Sequence, residues 1–411
     1  MNARKEAERQ MATLERGTSE VIPRAGLLER LERSVESGKP LRVKLGIDPT
    51  TRNVHLGHMV PYGKLRQFQD LGHQAVLIIG DYTASIGDPS GRNAERPPLS
   101  ISDVRRNAET YAEQIFRVVD RSRAEVRWQS EWFGSFPLAD TLRLAGSFSL
   151  AQLLAHETFR LRYERGARVG LHELFYPILQ AYDSVMVNAD VEIGGTDQKF
   201  NILAGRDLQK ERGMNAQSAV LVPLLPGLDG AKMSKSLGND IPVACDPVEQ
   251  FARVMALPDE SIGIYEELAL CETEETLAAT RERLSAGENP MAIKLDLAER
   301  IVSRFQGTGA GEGARAEWMS RFSKKETPAE MPFFEMTGAL EISAVLKASG
   351  LVSSTSEARR LIAEGAVYLD DTRVADPSFP VDPAITVSGS VVVRIGRRRY
   401  LRLTSARSVI S

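Results

Sequence analysis

Apolar and polar positions repeat with two different periods through the first half of the chain. Leu41 to Ile47 and Ala75 to Ile79 are short, mostly apolar runs ending in Asp48-Pro-Thr50 and Gly80-Asp81, whereas Leu56 to Leu71 between them spaces its apolar residues as a helix does. This predicts strand, helix, strand, the unit of a parallel sheet. The alternation returns with Val191-Glu-Ile before Gly194-Gly195, a helix over Gln198 to Arg212 and an apolar strand from Ser218 to Leu225. Between the two halves, Ser102 to Ala167 reads as mostly helical and is expected to be an insertion off one end of the sheet. Pro247 to Ser323 is helical with little strand signal. Ser323 to Thr337 loses periodicity and reads as a linker. The last segment starts afresh: Ser354-Thr-Ser-Glu357 predicts a capping box opening a helix that stops at Gly365. A Val367-Tyr-Leu strand, an Asp370-Asp371 turn and a basic hairpin from Val391 to Leu403 follow.

The expected fold is α/β. A Rossmann-like parallel-sheet domain spans 1–240, with a helical insertion at about 102–167 and a loop at 232–236. An α-helical domain covers 241–323, a linker 324–338 and a small α+β domain 339–411.

Composition narrows the class. With 411 residues, 42% hydrophobic and 26% charged, the chain is neither disordered nor fibrous and has room for two or three domains. No apolar run approaches a bilayer span, and Met1 to Arg16 alternates charges, so neither an export signal nor a membrane anchor is expected. Two cysteines exclude a disulfide framework and a thiolate metal site, and fit a reducing cytoplasm. A net charge of −3 argues against simple coating of nucleic acid, but Ala339 to Ser411 holds ten Lys/Arg against seven Asp/Glu.

His55-Leu-Gly57-His58 falls at the N-terminus of the first predicted sheet helix, on the carboxyl edge where open α/β sheets bind ligands. Amide groups and the helix dipole there favour phosphate, two imidazoles can add hydrogen bonds, and Gly57 leaves the backbone bare for a flat base. Alone, the motif is also read as a chance surface pair or a metal pair. Lys232-Met-Ser-Lys235-Ser lies in a loop rich in Gly and Pro, where two lysines can close on departing phosphates, or can simply form a solvated turn. Tyr176, Gln180 and Asp183 share one helical face among apolar neighbours, which suggests burial, although Pro177 weakens a helix there.

The two signatures together resemble those of class I aminoacyl-tRNA synthetases. Tyr176-Pro-Ile-Leu-Gln180-Ala-Tyr-Asp183 resembles the segment of tyrosyl-tRNA synthetases that holds the substrate ammonium through Tyr and Gln and the phenol through Asp. Gly194-Gly195-Thr-Asp197-Gln198 is similar to the family turn whose Asp and Gln meet ribose and substrate. The resemblance extends to Lys44-Leu-Gly46-Ile-Asp48, facing the nucleotide, and to Thr83 and Asp88, lining the amino acid. Arg92 and Arg96 match basic positions of a mobile loop near pyrophosphate. The signature loop is that of the Lys-Met-Ser-Lys-Ser branch of the bacterial enzymes. Two positions depart from the other branch. Lys44 stands where a Tyr donates to the phenol, either pinning Asp183 in its ionised form or pointing to solvent, and Pro61 replaces a small polar residue near the ribose.

The resemblance implies activation of L-tyrosine with ATP as substrate, Mg2+ arriving with the ATP, no resident metal, and transfer to the 3′ end of a cognate tRNA. It also implies a cytoplasmic homodimer. Tryptophan enzymes share the fold and signatures and should lack the Tyr, Gln and Asp triplet. A catalytically retired RNA-binding relative would have no reason to keep His55, His58, Lys232 and Lys235 together. The helical domain would lie on the anticodon side. The C-terminal segment resembles the small RNA-binding domain first described in a small-subunit ribosomal protein. Arg359, Arg360, Arg397, Arg398 and Arg399 would meet phosphates there, the alternative being a solvated charged edge.

Overall fold

The computed structural model describes all residues except 1, 51–52, 91–99, 324–330, 371, 383–390, 397–398 and 406–411. The chain divides into two compact units, Met1–Trp318 and Met319–Ser411.

The first unit is built on a six-stranded sheet, β1 (Glu20–Ile22), β2 (Arg42–Ile47), β3 (Gln74–Ile79), β4 (Ala124–Trp128), β5 (Val191–Gly195) and β6 (Ser218–Val222), in the order β1-β6-β5-β2-β3-β4. All neighbours are parallel except β1, which runs antiparallel to β6. The inner strands are apolar because both faces are covered: all five residues of β6 and five of the six in β3 are buried. Two helices precede the sheet, α1 (Ala3–Glu15) and α2 (Arg24–Ser37), and α3 (Leu56–Asp70) links β2 to β3. The amphipathic first turns of α1 carry no strand signal, which is why the opening residues read only as alternating charge.

The order of the strands creates the site. β2 and β3 are paired along six residues, from Arg42↔Gln74 to Ile47↔Ile79. β2 and β5 are paired only at Val43↔Val191 and Lys44↔Glu192, and beyond that rung they separate. The chain reverses its direction of travel across the sheet here, and the carboxyl ends of the two strands frame a crevice.

The helical insertion differs from expectation in one respect. Within 102–167, Ala124–Trp128 is not off the sheet but is its edge strand, paired with β3 from Ala75↔Ala124 to Ile79↔Trp128. The helices that follow pack Trp132, Phe133, Phe159, Leu174 and Ile178 against Val76 and Ile78 of the sheet. Each such side chain contributes roughly 1.5–3 kcal/mol on burial. Helices from Pro247–Met255 to Pro290–Gln306 and Ala310–Ser323 complete the helical stretch. No helix among the described residues is long and apolar enough to cross a membrane.

In the second unit, Thr372–Arg373, Val367–Leu369, Val391–Ile395, Arg399–Ser405 and Phe333–Met336 form a sheet in that spatial order, against helices Ile342–Ala348 and Thr355–Ala363. The Phe333–Met336 strand lies inside the stretch read as linker and pairs in parallel with Arg402 to Ser405. The capping box is displaced by one residue. Ser354 Oγ accepts from the Glu357 amide as expected, but the Glu357 carboxylate reaches back to the amide of Ser353.

Candidate active site

A cleft of about 750 Å³ opens at the fork between β2 and β5, a size suited to a nucleotide beside an amino acid. Its closed end is built by the Phe175–Met186 helix. Pro177 sits in the first turn of that helix, where its missing N–H has no intrahelical partner to lose, so the helix forms despite it. Tyr176, Gln180 and Asp183 consequently share the face that lines the cleft.

Asp183 is 2% exposed. Gln129 Nε2 donates to its Oδ2 at 2.8 Å and Trp132 Nε1 to its Oδ1 at 3.2 Å. Burial pushes this carboxyl up to about 7, against the lowering pull of Lys44 and of those two donors. Each carboxylate oxygen keeps a second lone pair for a ligand. The Tyr176 hydroxyl donates to Asp48 Oδ2 at 2.8 Å, and Thr83 Oγ1 lies 2.7 Å from Asp48 Oδ1 and 3.0 Å from Gln129 Oε1. Gly80 permits this convergence, because a Cβ there would stand 2.2 Å from both Asp48 Oδ1 and Thr83 Oγ1. Gln198 Nε2 donates to Asp88 Oδ2 at 2.8 Å, whose other oxygen accepts from the Ser90 amide.

Lys44 turns into the protein, so neither orientation open to the sequence describes it fully. It is completely buried and donates to the Gln180 carbonyl at 2.9 Å, Ser184 Oγ at 2.8 Å and Glu192 Oε1 at 2.9 Å. Its three protons are thereby committed, and its effect on Asp183 is electrostatic.

The open end carries the phosphate-type groups. His55 caps α3, its amide donates to His58 Nδ1 at 3.3 Å, and the two rings stack with centroids 3.6 Å apart. Desolvation, then Lys235 and Lys232, lowers His55 to about 4. His58 presents a face to the cleft, yet desolvation, His55 and the same lysines also hold it well below the usual histidine range. Both imidazoles are therefore neutral hydrogen-bond donors at pH 7. Among the described residues, His55 Nδ1 is buried without a partner.

Backbone pairing fastens this end to the lysine loop: the Leu56 amide donates to Ile241 O and the Val243 amide to Val54 O. Met233 is buried, with its Sδ accepting from the Gly57 amide at 3.4 Å. Lys232 pairs with Asp197 at 2.9 Å and Lys235 donates to the Asn53 carbonyl. Gly46 lies next to the carboxyl end of β2 with its face open to the cleft, and a Cβ there would meet no atom within 4 Å. A Cβ on Gly57 would stand 3.1 Å from His55 Nδ1, and one on Gly195 2.5 Å from Asp197 Oδ1. Pro61 also lines the cleft. Arg92 and Arg96 lie outside the described residues.

Sequence reasoning missed Gln129, Trp132 and Glu192. Gln129 directly follows β4, so recognising the alternating Ala-Glu-Val-Arg-Trp as an edge strand would have put it at the carboxyl edge of the sheet. Nothing local marks Glu192 as the partner of Lys44. Acidic side chains around the cleft are engaged by neighbours, and no group of three or more His, Cys, Asp or Glu arranged to hold a metal occurs among the described residues.

In the second unit, Arg359 and Arg360 are exposed, with Arg360 paired to Glu364 at 2.9 Å. Arg399 donates to the Leu351 carbonyl at 3.1 Å. Arg397 and Arg398 lie outside the described residues.

Comparison with known proteins agrees with this geometry. Residues 36–323 match the model of the family "tRNA synthetases class I (W and Y)", and residues 342–384 match the S4 domain. The chain is 42% identical over 398 residues to tyrosine–tRNA ligase 2 of Vibrio parahaemolyticus, covering 97% of this chain and 98% of that one. It is 45% identical over 394 residues to tyrosine–tRNA ligase of Dehalococcoides mccartyi, covering 94% and 96%. In fold it resembles the truncated mitochondrial tyrosyl-tRNA synthetase of Aspergillus nidulans, with a TM-score of 0.62 and 20% identity over 78% of this chain and 94% of that one. The tryptophanyl-tRNA synthetase of Plasmodium falciparum is also similar, with a TM-score of 0.55 and 15% identity over 75% and 89%. The near-full-length relatives decide between the two amino acids: the chain belongs to the tyrosine–tRNA ligases, within the class I tRNA synthetase family.

Proposed function

We propose that the cleft joins L-tyrosine to the α-phosphate of ATP, releasing pyrophosphate, and that the tyrosyl group then passes to the terminal ribose of a tRNA. The observation that carries this reading is the buried Asp183 at the closed end of a cleft whose open end holds a helix N-terminus, two neutral imidazoles and two lysines. A phenol reaching Asp183 leaves the amino-acid carboxylate toward the phosphate end. The carboxylate is itself the nucleophile, so the protein contributes position and charge.

In this reading Tyr176 and Gln180, with Thr83, Asp88 and Gln198, surround the amino acid's ammonium and ring. Gly46, Asp48, Gly57, Gly195 and Asp197 surround the nucleotide. His55 and His58 donate to phosphate oxygens, and Lys232 and Lys235 exchange Asp197 and Asn53 for the departing pyrophosphate, with Arg92 and Arg96 beside them. Mg2+ enters with the nucleotide's phosphates. This fits a donor set in which Asp48, Asp88 and Asp197 are already held by Tyr176, Gln198 and Lys232.

The tRNA would lie along the helical 241–323 stretch and the C-terminal module, where Arg359, Arg360, Arg397, Arg398 and Arg399 contact phosphates. We also propose a cytoplasmic homodimer. Leu138, Leu142, Leu150, Tyr163 and Leu171, all 61–74% exposed on the helical segment after β4, support self-association. Exchange of labelled pyrophosphate into ATP, run with tyrosine, tryptophan and phenylalanine, tests the reading. Tyrosine-dependent exchange is expected, and exchange driven by tryptophan instead would overturn it.

A further inference from the structure

Lys44 and Glu192 occupy the last paired rung between β2 and β5, immediately before the strands part to form the cleft. Both side chains are essentially without solvent, at 0% and 1% exposure, and their charged ends meet at 2.9 Å. A buried pair of this kind costs several kcal/mol in desolvation per ion and is only offset when its remaining hydrogen-bonding capacity is filled.

Here it is filled from the elements that shape the amino-acid pocket. Lys44 holds the Gln180 carbonyl and Ser184 Oγ, both on the Phe175–Met186 helix. Glu192 Oε1 also accepts from Gln180 Nε2 at 3.1 Å, while its Oε2 accepts from Ser184 Oγ at 2.9 Å and from Gln217 Nε2. The pair thus clamps the helix that carries Tyr176, Gln180 and Asp183 against the fork of the sheet. An apolar pair would fill the space and supply no such register, because it could not bind the Gln180 backbone and side chain together.

We propose that Lys44 and Glu192 form a positioning pair that selects the amino acid indirectly, by fixing Gln180 and setting the electric field at Asp183, without touching the substrate. The proposal rests on the tyrosine reading of the cleft. The charged groups facing Asp183 are Lys44 from β2 and Glu192 from β5. From the side of β4 and the following turn come the neutral Gln129 and Trp132. The cation favours ionised Asp183 and the anion opposes it, so Lys44 offsets part of the rise that burial imposes and Glu192 trims that offset.

The test is a double-mutant cycle of Lys44→Met, Glu192→Gln and the combined variant, read as the pH profile of kcat/KM for tyrosine in pyrophosphate exchange. Losing the cation should move the acid limb to higher pH, by about one unit. Losing the anion should move it the other way. The combined variant, neutral at this rung, should return close to the parent. In the single variants the loss should fall on KM more than on kcat, and the ratio of tyrosine to phenylalanine kcat/KM should narrow. Glu192→Gln is nearly isosteric and keeps the test open where Lys44→Met does not fold. An acid limb shared by the parent and the folded variants, or a combined variant no nearer the parent than the singles, overturns the proposal. If the parent itself gives no tyrosine-dependent exchange, the failure lies with the reading of the cleft and not with the pair.

Discussion

The two ends of the cleft are built on opposite principles. At the closed end, Asp183 is buried and already receives hydrogen bonds from Gln129 and Trp132, and behind it Lys44 and Glu192 are essentially without solvent. At the open end, Lys232 and Lys235 are exposed, and each is bound to a protein acceptor, Asp197 or Asn53, that a phosphate can replace. In the proposed reading, recognition of the amino acid relies on groups ordered in advance, whereas charge for the reaction is held on side chains that can be exchanged. A preorganised acceptor discriminates between ligands. A donor that changes partners during the reaction can favour the transition state over the ground state.

Breaking the open end should have the largest effect. Lys235→Ala and His58→Ala are expected to slow tyrosyl-adenylate formation by roughly 10²–10³-fold while leaving tyrosine Kd nearly unchanged, measured in single-turnover experiments. A raised Kd with an unaltered chemical rate would place these residues in ground-state binding. At the closed end, Asp183→Ala should reverse that pattern. It removes a hydrogen bond to a charged group, worth about 1.5–3 kcal/mol, so tyrosine kcat/KM should fall on the order of 10²-fold while phenylalanine changes little. A variant that discriminates like the parent would exclude Asp183 as the reader of the phenol.

Removing residues 331–411 should spare both ends. Pyrophosphate exchange is expected to persist and tRNA charging to drop by about tenfold, and the affinity of the full chain for tRNA should weaken as salt is added. Charging at the parental rate by the shortened chain would remove the module from RNA binding.

The last effect is on stability, where the two ends respond to pH in opposite directions. Folded Asp183 keeps its proton up to about 7 but releases it near 3.8 when unfolded, so its contribution is largest below about pH 4 and declines as pH rises to 7. Folded His55 stays neutral down to about 4 but takes up a proton below 6.5 when unfolded, so its contribution is complete above 6.5 and is lost on acidification. Urea unfolding of Asp183→Asn at several pH values should show a flatter decline between pH 4 and 7, by about 3 kcal/mol. Parallel curves for the parent and the variant would mean that Asp183 ionises normally.

Legibility in the sequence followed whether a feature is local. The β2, α3 and β3 runs and the Tyr176, Gln180 and Asp183 face were readable because period and burial coincide over a few residues. The strand Ala124–Trp128 escaped because, at the edge of the sheet, none of its five residues is fully buried, so it has no apolar run. Lys44 reads equally as a cation on Asp183 or as a solvent-facing residue until Glu192, 148 positions away, is known to stand beside it. Gln129 and Trp132 likewise meet Asp183 across more than fifty residues, a distance that no local pattern encodes.

The C-terminal module has a property that concerns time more than place. Its first strand, Phe333–Met336, pairs with its last, Arg399–Ser405, which also pairs with Val391–Ile395 and so lies inside the sheet. During synthesis the early strand must wait, with its backbone N–H and C=O groups unpaired, until Arg399–Ser405 has left the ribosome. Closing that long-range pairing is the slow, entropy-costly step of the module. A message truncated before the codon for Arg399 would therefore yield a chain with an intact first unit and an unclosed module. Such a chain would have two raw strand edges, the kind of surface on which chains aggregate.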